Sequence, residues 1–180
     1  MSRVKWDVSA GAVLLFALMY FFDGSGIVSA VVPAVAVHEL GHLIPLQLCG
    51  HPLRAVKISV FGVEIDYTGI LTGGAALLCI GGGPLSGGVY AVIACTFGGE
   101  FLRMSGAVSA VLTGFNLLPI LPLDGGRIAE AVSDAAFAAK LSRWAALLLT
   151  IGGGVIALRF HVLSLLVMGT WLTVCNFRGT

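Results

Sequence analysis

His38, Glu39 and His42 stand in the run His38-Glu39-Leu40-Gly41-His42, inside a largely apolar stretch from Ile27 to Leu48. On a helix, residues four apart share a face, so the two imidazoles can reach one point and the carboxylate between them comes near it. Paired imidazoles suit a zinc ion, and an adjacent carboxylate suits a general base acting on water. The alternative reading makes both histidines hydrogen-bonded interior polar residues. Against it, a charged side chain at the centre of a bilayer helix costs about 2.5–3.5 kcal/mol on insertion scales, so Glu39 has to be paired or functional.

The elements that would carry these groups follow from composition. Hydrophobic residues make up 58% of the 180 and charged residues 11%, with a mean hydropathy of +1.01, against about 25% charged in an ordinary soluble domain. The chain therefore reads as an α-helical integral membrane protein. About 20 apolar residues cross the hydrocarbon, which places about six transmembrane helices near 8–22, 27–48, 73–97, 105–121, 142–158 and 160–177. A net charge of +1 and the lack of any basic helix exclude a nucleic-acid partner. Arg3 and Lys5 precede the first apolar run, but no small-residue cleavage site follows, so that run reads as a retained span and not a signal peptide. Cys49, Cys79, Cys95 and Cys175 lack metal-cluster spacing and read as small apolar residues.

With a cytoplasmic N-terminus, Arg3, Lys5, Arg54, Lys57, Arg127, Lys140, Arg143 and Arg178 fall on the cytoplasmic side and only Arg103 and Arg159 outside. Both termini are then cytoplasmic. The second span runs inward, and His42 lies about 9 Å below its cytoplasmic end at 1.5 Å rise per residue.

A catalytic zinc takes three protein ligands, so a third group is needed. The candidate is Asp124, in the segment Asn116-Leu-Leu-Pro-Ile-Leu-Pro-Leu-Asp124-Gly-Gly-Arg127. Pro119 and Pro122 stop the fourth span from continuing as a helix, and Gly125 and Gly126 permit close approach. Irregular backbone at membrane depth is tolerated where it is buried or lines a wet cavity, which hydrolysis requires. Taken alone, Asp124 could equally be the N-cap of a helix from Gly125 to about Lys140; beside the histidine pair, ligation is the stronger reading.

The helical HELGH run followed by N-x-x-P-x-x-P-L-D-G-G-R resembles the site-2 protease family of intramembrane zinc metalloproteases, and within it the short form is similar to stage IV sporulation protein FB. The resemblance implies zinc held by His38, His42 and Asp124, Glu39 as catalytic base, and Asn116 as a polar group near the reacting peptide. It also implies a membrane-associated protein substrate, such as a pro-sigma or anti-sigma factor, and regulatory membrane partners. Gly82-Gly83-Pro84-Leu85 is similar to a further family pattern, but the asparagine common two residues later is Gly87 here; close helix packing is the expected role of this run. The chain is expected to form a single transmembrane catalytic domain, without the PDZ module or C-terminal nucleotide-sensing domain of some relatives.

Alternation from Ala55 to Tyr67 about a Phe61-Gly62 break predicts a small amphipathic β-hairpin at the cytoplasmic interface. It is either an interfacial anchor or an edge that pairs with unwound substrate. His51 and His161 read as wetted span-end residues, Pro33 and Pro45 as kinks or tolerated packing features, and Gly152-Gly153-Gly154 as a helix contact or a hinge. Two other functional classes stand beside the protease: a catalytically silent metal-binding relative acting through partners, and a zinc transporter. The second needs ionisable residues through both membrane halves, whereas here they gather toward one side.

Overall fold

The computed structural model describes residues 4–59 and 62–178; Arg3, Val60 and Phe61, used in the sequence reading, lie outside them. The element order is β1 (Lys5–Val8), α1 (Ala10–Phe22), α2 (Ile27–Leu48), β2 (Leu53–Ser59), β3 (Gly62–Tyr67), α3 (Gly73–Phe97), α4 (Glu100–Asn116), α5 (Asp124–Val132), α6 (Ala135–Phe160) and α7 (Ser164–Arg178). They form two compact units, residues 1–114 and 115–180.

Each expected span overlaps a helix, but those at 8–22, 105–121 and 160–177 also take in non-helical residues. Among the described residues, α2, α3 and α6 are long and apolar enough to cross a membrane, and α1 is a shorter apolar helix of 13 residues. Large side chains such as Leu48, Phe97 and Leu158 are more than four-fifths exposed, as suits helices whose outer faces meet lipid. The bounds of α2 and α3 match the sequence expectation, and α2 runs unbroken through Pro33 and Pro45. Others differ. α6 starts at Ala135 and not near 142, because Asp134 caps it by accepting a hydrogen bond from the Phe137 amide at 2.8 Å. α4 ends at Asn116 instead of 121, ahead of Pro119.

In the first unit the expected hairpin forms, with β2 and β3 antiparallel in the register Val56 opposite Ile65. It gains a third strand: β1 runs parallel to β2, Trp6 opposite Val56, giving the order β1-β2-β3. The first apolar helix accordingly begins at Ala10, where Ser9 caps it. His51 ties the sheet to the end of α2, its Nδ1 donating to the Thr68 carbonyl at 2.9 Å.

Packing between α2 and α3 is through small residues. A Cβ on Gly41 would overlap Ser86 Oγ and the Gly82 carbonyl, and one on Gly82 would overlap the Gly41 carbonyl. Buried serines of α4 finish this unit: Ser105 donates to the Ala30 carbonyl at 2.8 Å and Ser109 to the Gly87 carbonyl at 2.9 Å.

The second unit is a hairpin of α6 and α7 with α5 and the segment before it. Gly153 abuts the backbone of Leu165 and Leu166, and Gly169 that of Thr150. The triple glycine is therefore a helix contact, inside a helix that continues through it. The core of this unit is Ile120, Ala146 and Leu172.

Candidate metal centre

In the first unit, α2 delivers both imidazoles. His38 is buried and His42 half-buried; their Nε2 atoms lie 3.3 Å apart, with ring planes crossed at 81°. The His42 Nδ1 sits 2.8 Å from the Cys79 carbonyl of α3. A carbonyl only accepts, so Nδ1 carries the proton and Nε2 is left with its lone pair. That lone pair meets the other Nε2 across a gap that suits a shared cation. Two nitrogens bound tetrahedrally to zinc at about 2.0–2.1 Å stand about 3.3–3.4 Å apart by simple trigonometry, and the observed separation falls there.

α3 shapes the other side of this pair. A Cβ on Gly83 would overlap the His42 Nε2 and Cε1 atoms, so only glycine leaves room for the ring. Ser86 donates to the Val37 carbonyl at 2.9 Å, linking the two helices one turn before Gly41. At Gly87, a Cβ would lie 2.6 Å from Thr113 Oγ1 and 3.5 Å from His38 Nδ1. The space that an asparagine would need is thus taken by the Thr113 hydroxyl, brought in from α4. Glu39 is half-buried on α2 between the histidines.

In the second unit, Asp124 is buried, 8% exposed, as the first residue of α5. It is not the N-cap: Leu123 occupies that position, and α5 ends at Val132, well short of Lys140. Its charge at the first turn is favoured by the helix dipole. Gly125 and Gly126 let α5 begin against the preceding backbone, since a Cβ on Gly125 would overlap the Leu117 carbonyl and one on Gly126 would lie 2.5 Å from Leu121 N. Asn116 closes α4, half-buried, and Arg127 is exposed.

By their chemistry, the His38 and His42 imidazoles of the first unit and the Asp124 carboxylate of the second each offer a donor atom suited to a metal ion. The model of peptidase family M50 matches residues 82–160, a segment that contains Asp124 and follows the histidine pair. Rip3 of Mycobacterium tuberculosis, named as a zinc metalloprotease, is 28% identical over 131 residues in strains Erdman and H37Rv. The alignment covers 64% of this chain and 33% of Rip3, so the chain spans about a third of that relative's length. The site-2 protease from Methanocaldococcus jannaschii superposes with a TM-score of 0.68 at 17% identity, over 99% of this chain and 93% of that one.

The chain is thus similar to peptidase family M50 over residues 82–160 and to a site-2 protease in fold. The likeness to the archaeal enzyme is one of fold. What sequence reasoning missed around the site is its support: Cys79 as a carbonyl partner, Gly83 as the floor under His42, and Thr113 beside Gly87. The Gly82-Gly83 pair marked close packing, but nothing local marked the other two.

Proposed function

We propose that the chain is an intramembrane zinc metalloprotease that hydrolyses a peptide bond of a membrane-associated protein near the cytoplasmic side. The observation that carries this is the His38–His42 pair, spaced for one zinc ion with the His42 proton committed to a carbonyl. In this reading Asp124 is the third ligand, and the two units act as one catalytic domain with about six membrane-spanning helices and both termini cytoplasmic.

Zinc, when bound, supplies Lewis-acid polarisation of the scissile carbonyl and lowers the pKa of a water toward about 7. Glu39 takes the proton of the attacking water and passes it to the departing amine. The Asn116 amide donates to the oxygen on which negative charge develops, without burying a further charge. Cys79 and Gly83 hold the His42 ring through these steps.

For substrate entry, β3 is an edge of the three-stranded sheet, with Glu64 and Asp66 exposed and Val63, Ile65 and Tyr67 half-buried. An unwound substrate segment can add there through backbone hydrogen bonds. Proline at alternate β3 positions should slow cleavage of long substrates while sparing zinc; unchanged rates would remove the pairing idea. The similarity to stage IV sporulation protein FB, and with it a pro-sigma or anti-sigma substrate, rests on the motif pair in the sequence.

The central test is the purified chain in detergent, assayed for zinc per protomer and for cleavage of single-span substrates beside Glu39→Gln. One zinc per chain in both, with cleavage falling by a factor of about 10²–10⁴ in the variant, is expected. Zinc loss in Glu39→Gln would make Glu39 structural. Zinc in the parent without glutamate-dependent cleavage would favour a silent relative, and zinc flux into vesicles a transporter.

A further inference from the structure

The segment that carries Asp124 is not helical before α5, so its peptide groups need partners from elsewhere. Ile120 N–H bonds the Leu118 carbonyl at 2.7 Å and Leu123 N–H the Ile120 carbonyl at 2.8 Å, which folds the segment on itself. Leu121 is served differently. Its N–H donates to Ser142 Oγ of α6 at 2.7 Å, the Ser142 hydroxyl donates to Asn176 Oδ1 of α7 at 2.5 Å, and Asn176 Nδ2 donates back to the Leu121 carbonyl at 2.7 Å. The three residues form a closed ring of hydrogen bonds around one peptide residue.

The ring has one orientation. The second Asn176 Nδ2 proton goes to the Leu172 carbonyl at 2.9 Å, so turning the amide over would set its oxygen against two carbonyls. Ser142 is fully buried, and beside the ring Ile120 is packed with Ala146 of α6 and Leu172 of α7. Residue 120 is thus anchored by apolar contact and residue 121 by polar contact, both to the same pair of helices. From there the chain reaches Asp124 through Pro122, whose φ is fixed, and Leu123, whose carbonyl already accepts from Arg127 N–H at 3.0 Å. Little slack separates the ring from the carboxylate.

We propose that Ser142 and Asn176 are positioning residues for Asp124: by clamping both polar groups of Leu121 they fix where the buried carboxylate stands, and so the affinity and geometry of the metal site. This rests on the metalloprotease reading above. Neither residue touches the metal; each acts through the backbone of the segment.

The test uses the full chain in detergent, loaded with Zn²⁺ or Co²⁺, reading metal affinity by chelator competition, the visible Co²⁺ spectrum, and thermal unfolding. Ser142→Ala and Asn176→Leu are expected to weaken metal binding about 10–100-fold, as loss of outer partners does, and to change the Co²⁺ spectrum. Thr150→Val is the control. It removes a 2.9 Å hydrogen bond to Thr173 between the same two helices, and should lower the melting temperature while leaving both metal readouts unchanged. Should Asn176→Leu not fold, Ser142→Ala, the smaller change, decides.

Unaltered affinity and spectrum in folded Ser142→Ala would overturn the inference, as would an equal loss in Thr150→Val. Asp124→Asn separates the two levels. If that variant weakens the metal and the clamp variants do not, only the positioning role fails. If Asp124→Asn itself leaves affinity and spectrum unchanged, the carboxylate is no ligand and both readings fall.

Discussion

The helix pair α2/α3 and the segment from Leu117 to Asp124 each hold groups proposed for the same chemistry, but by opposite means. The histidines sit on a continuous helix whose backbone bonds within itself except opposite Pro33 and Pro45, and their direction is set where Gly41 meets Gly82 and Gly83 leaves room for the His42 ring. Asp124 follows a stretch that bonds only partly to itself, and whose Leu121 N–H and carbonyl are taken by Ser142 and Asn176 from other helices. One support is made of absent side chains and the other of present ones. Adding a methyl group should damage the first, and removing a polar group the second.

The largest effect is expected from crowding the helix contact. Gly41→Val puts carbon where Ser86 Oγ and the Gly82 carbonyl lie; overpacking of this kind costs about 1–3 kcal/mol, and thermal unfolding together with zinc stoichiometry should both fall. Gly83→Ala meets the His42 ring first, so it should reduce zinc affinity with a smaller loss of melting temperature. Gly81→Ala, with nothing within 4 Å, should match the parent in both. If Gly83→Ala binds zinc like the parent, the cradle under His42 has no role in ligation.

On the loop side the loss has a different sign of volume. A buried polar group left without its partner costs about 1–3 kcal/mol, so Ser142→Ala should destabilise by a comparable amount while moving the metal readouts, a combination that Thr150→Val should lack.

The smallest effect sharpens the contrast, because α2 too depends on one irregular residue. Asp23 accepts from Ser25 Oγ at 2.6 Å, from Ser25 N–H at 3.0 Å and from Val28 N–H at 2.7 Å. The Ser25 hydroxyl first, then the Val28 amide, hold its carboxyl below the ordinary value of 3.8. A group with a lowered folded pKa stabilises above its unfolded pKa and loses that contribution as pH falls through the lowered value. Asp23→Ala should therefore melt slightly below the parent at pH 7, with the gap narrowing below pH 3.8. A gap that persists unchanged in acid would mean that the charge has no part in it.

How much of this was legible in the sequence follows the same division. α2 and α3 could be read because apolar length alone sets a spanning helix, and the His38–His42 spacing because four residues make about one turn. Pro119 and Pro122 announced the irregular segment, and Asp124 stood out as an acid beside two glycines. β1 was hidden because Lys5-Trp6-Asp7-Val8, although it alternates polar and apolar, is only four residues long, leads straight into an apolar run and is exposed throughout; only its pairing with β2 makes it a strand. Asp134 was a readable cap that apolar length overrode in placing the start of α6. Ser142 and Asn176 carried no local sign. A serine and an asparagine within apolar helices resemble many others until Leu121, 55 residues from Asn176 along the chain, is seen between them.

The ring around Leu121 also sets how little of the chain could work alone. Every proposed ligand and the proposed base lie between His38 and Asp124, yet a fragment ending at Val132 would lose Ser142, Ala146, Leu172 and Asn176 together. It would keep every proposed reactive group but lose the hydrogen bonds and apolar contacts that anchor residues 120 and 121 to α6 and α7. On the proposed reading, the smallest piece expected to hold the metal is set by scaffolding and extends to Asn176, near the end of α7.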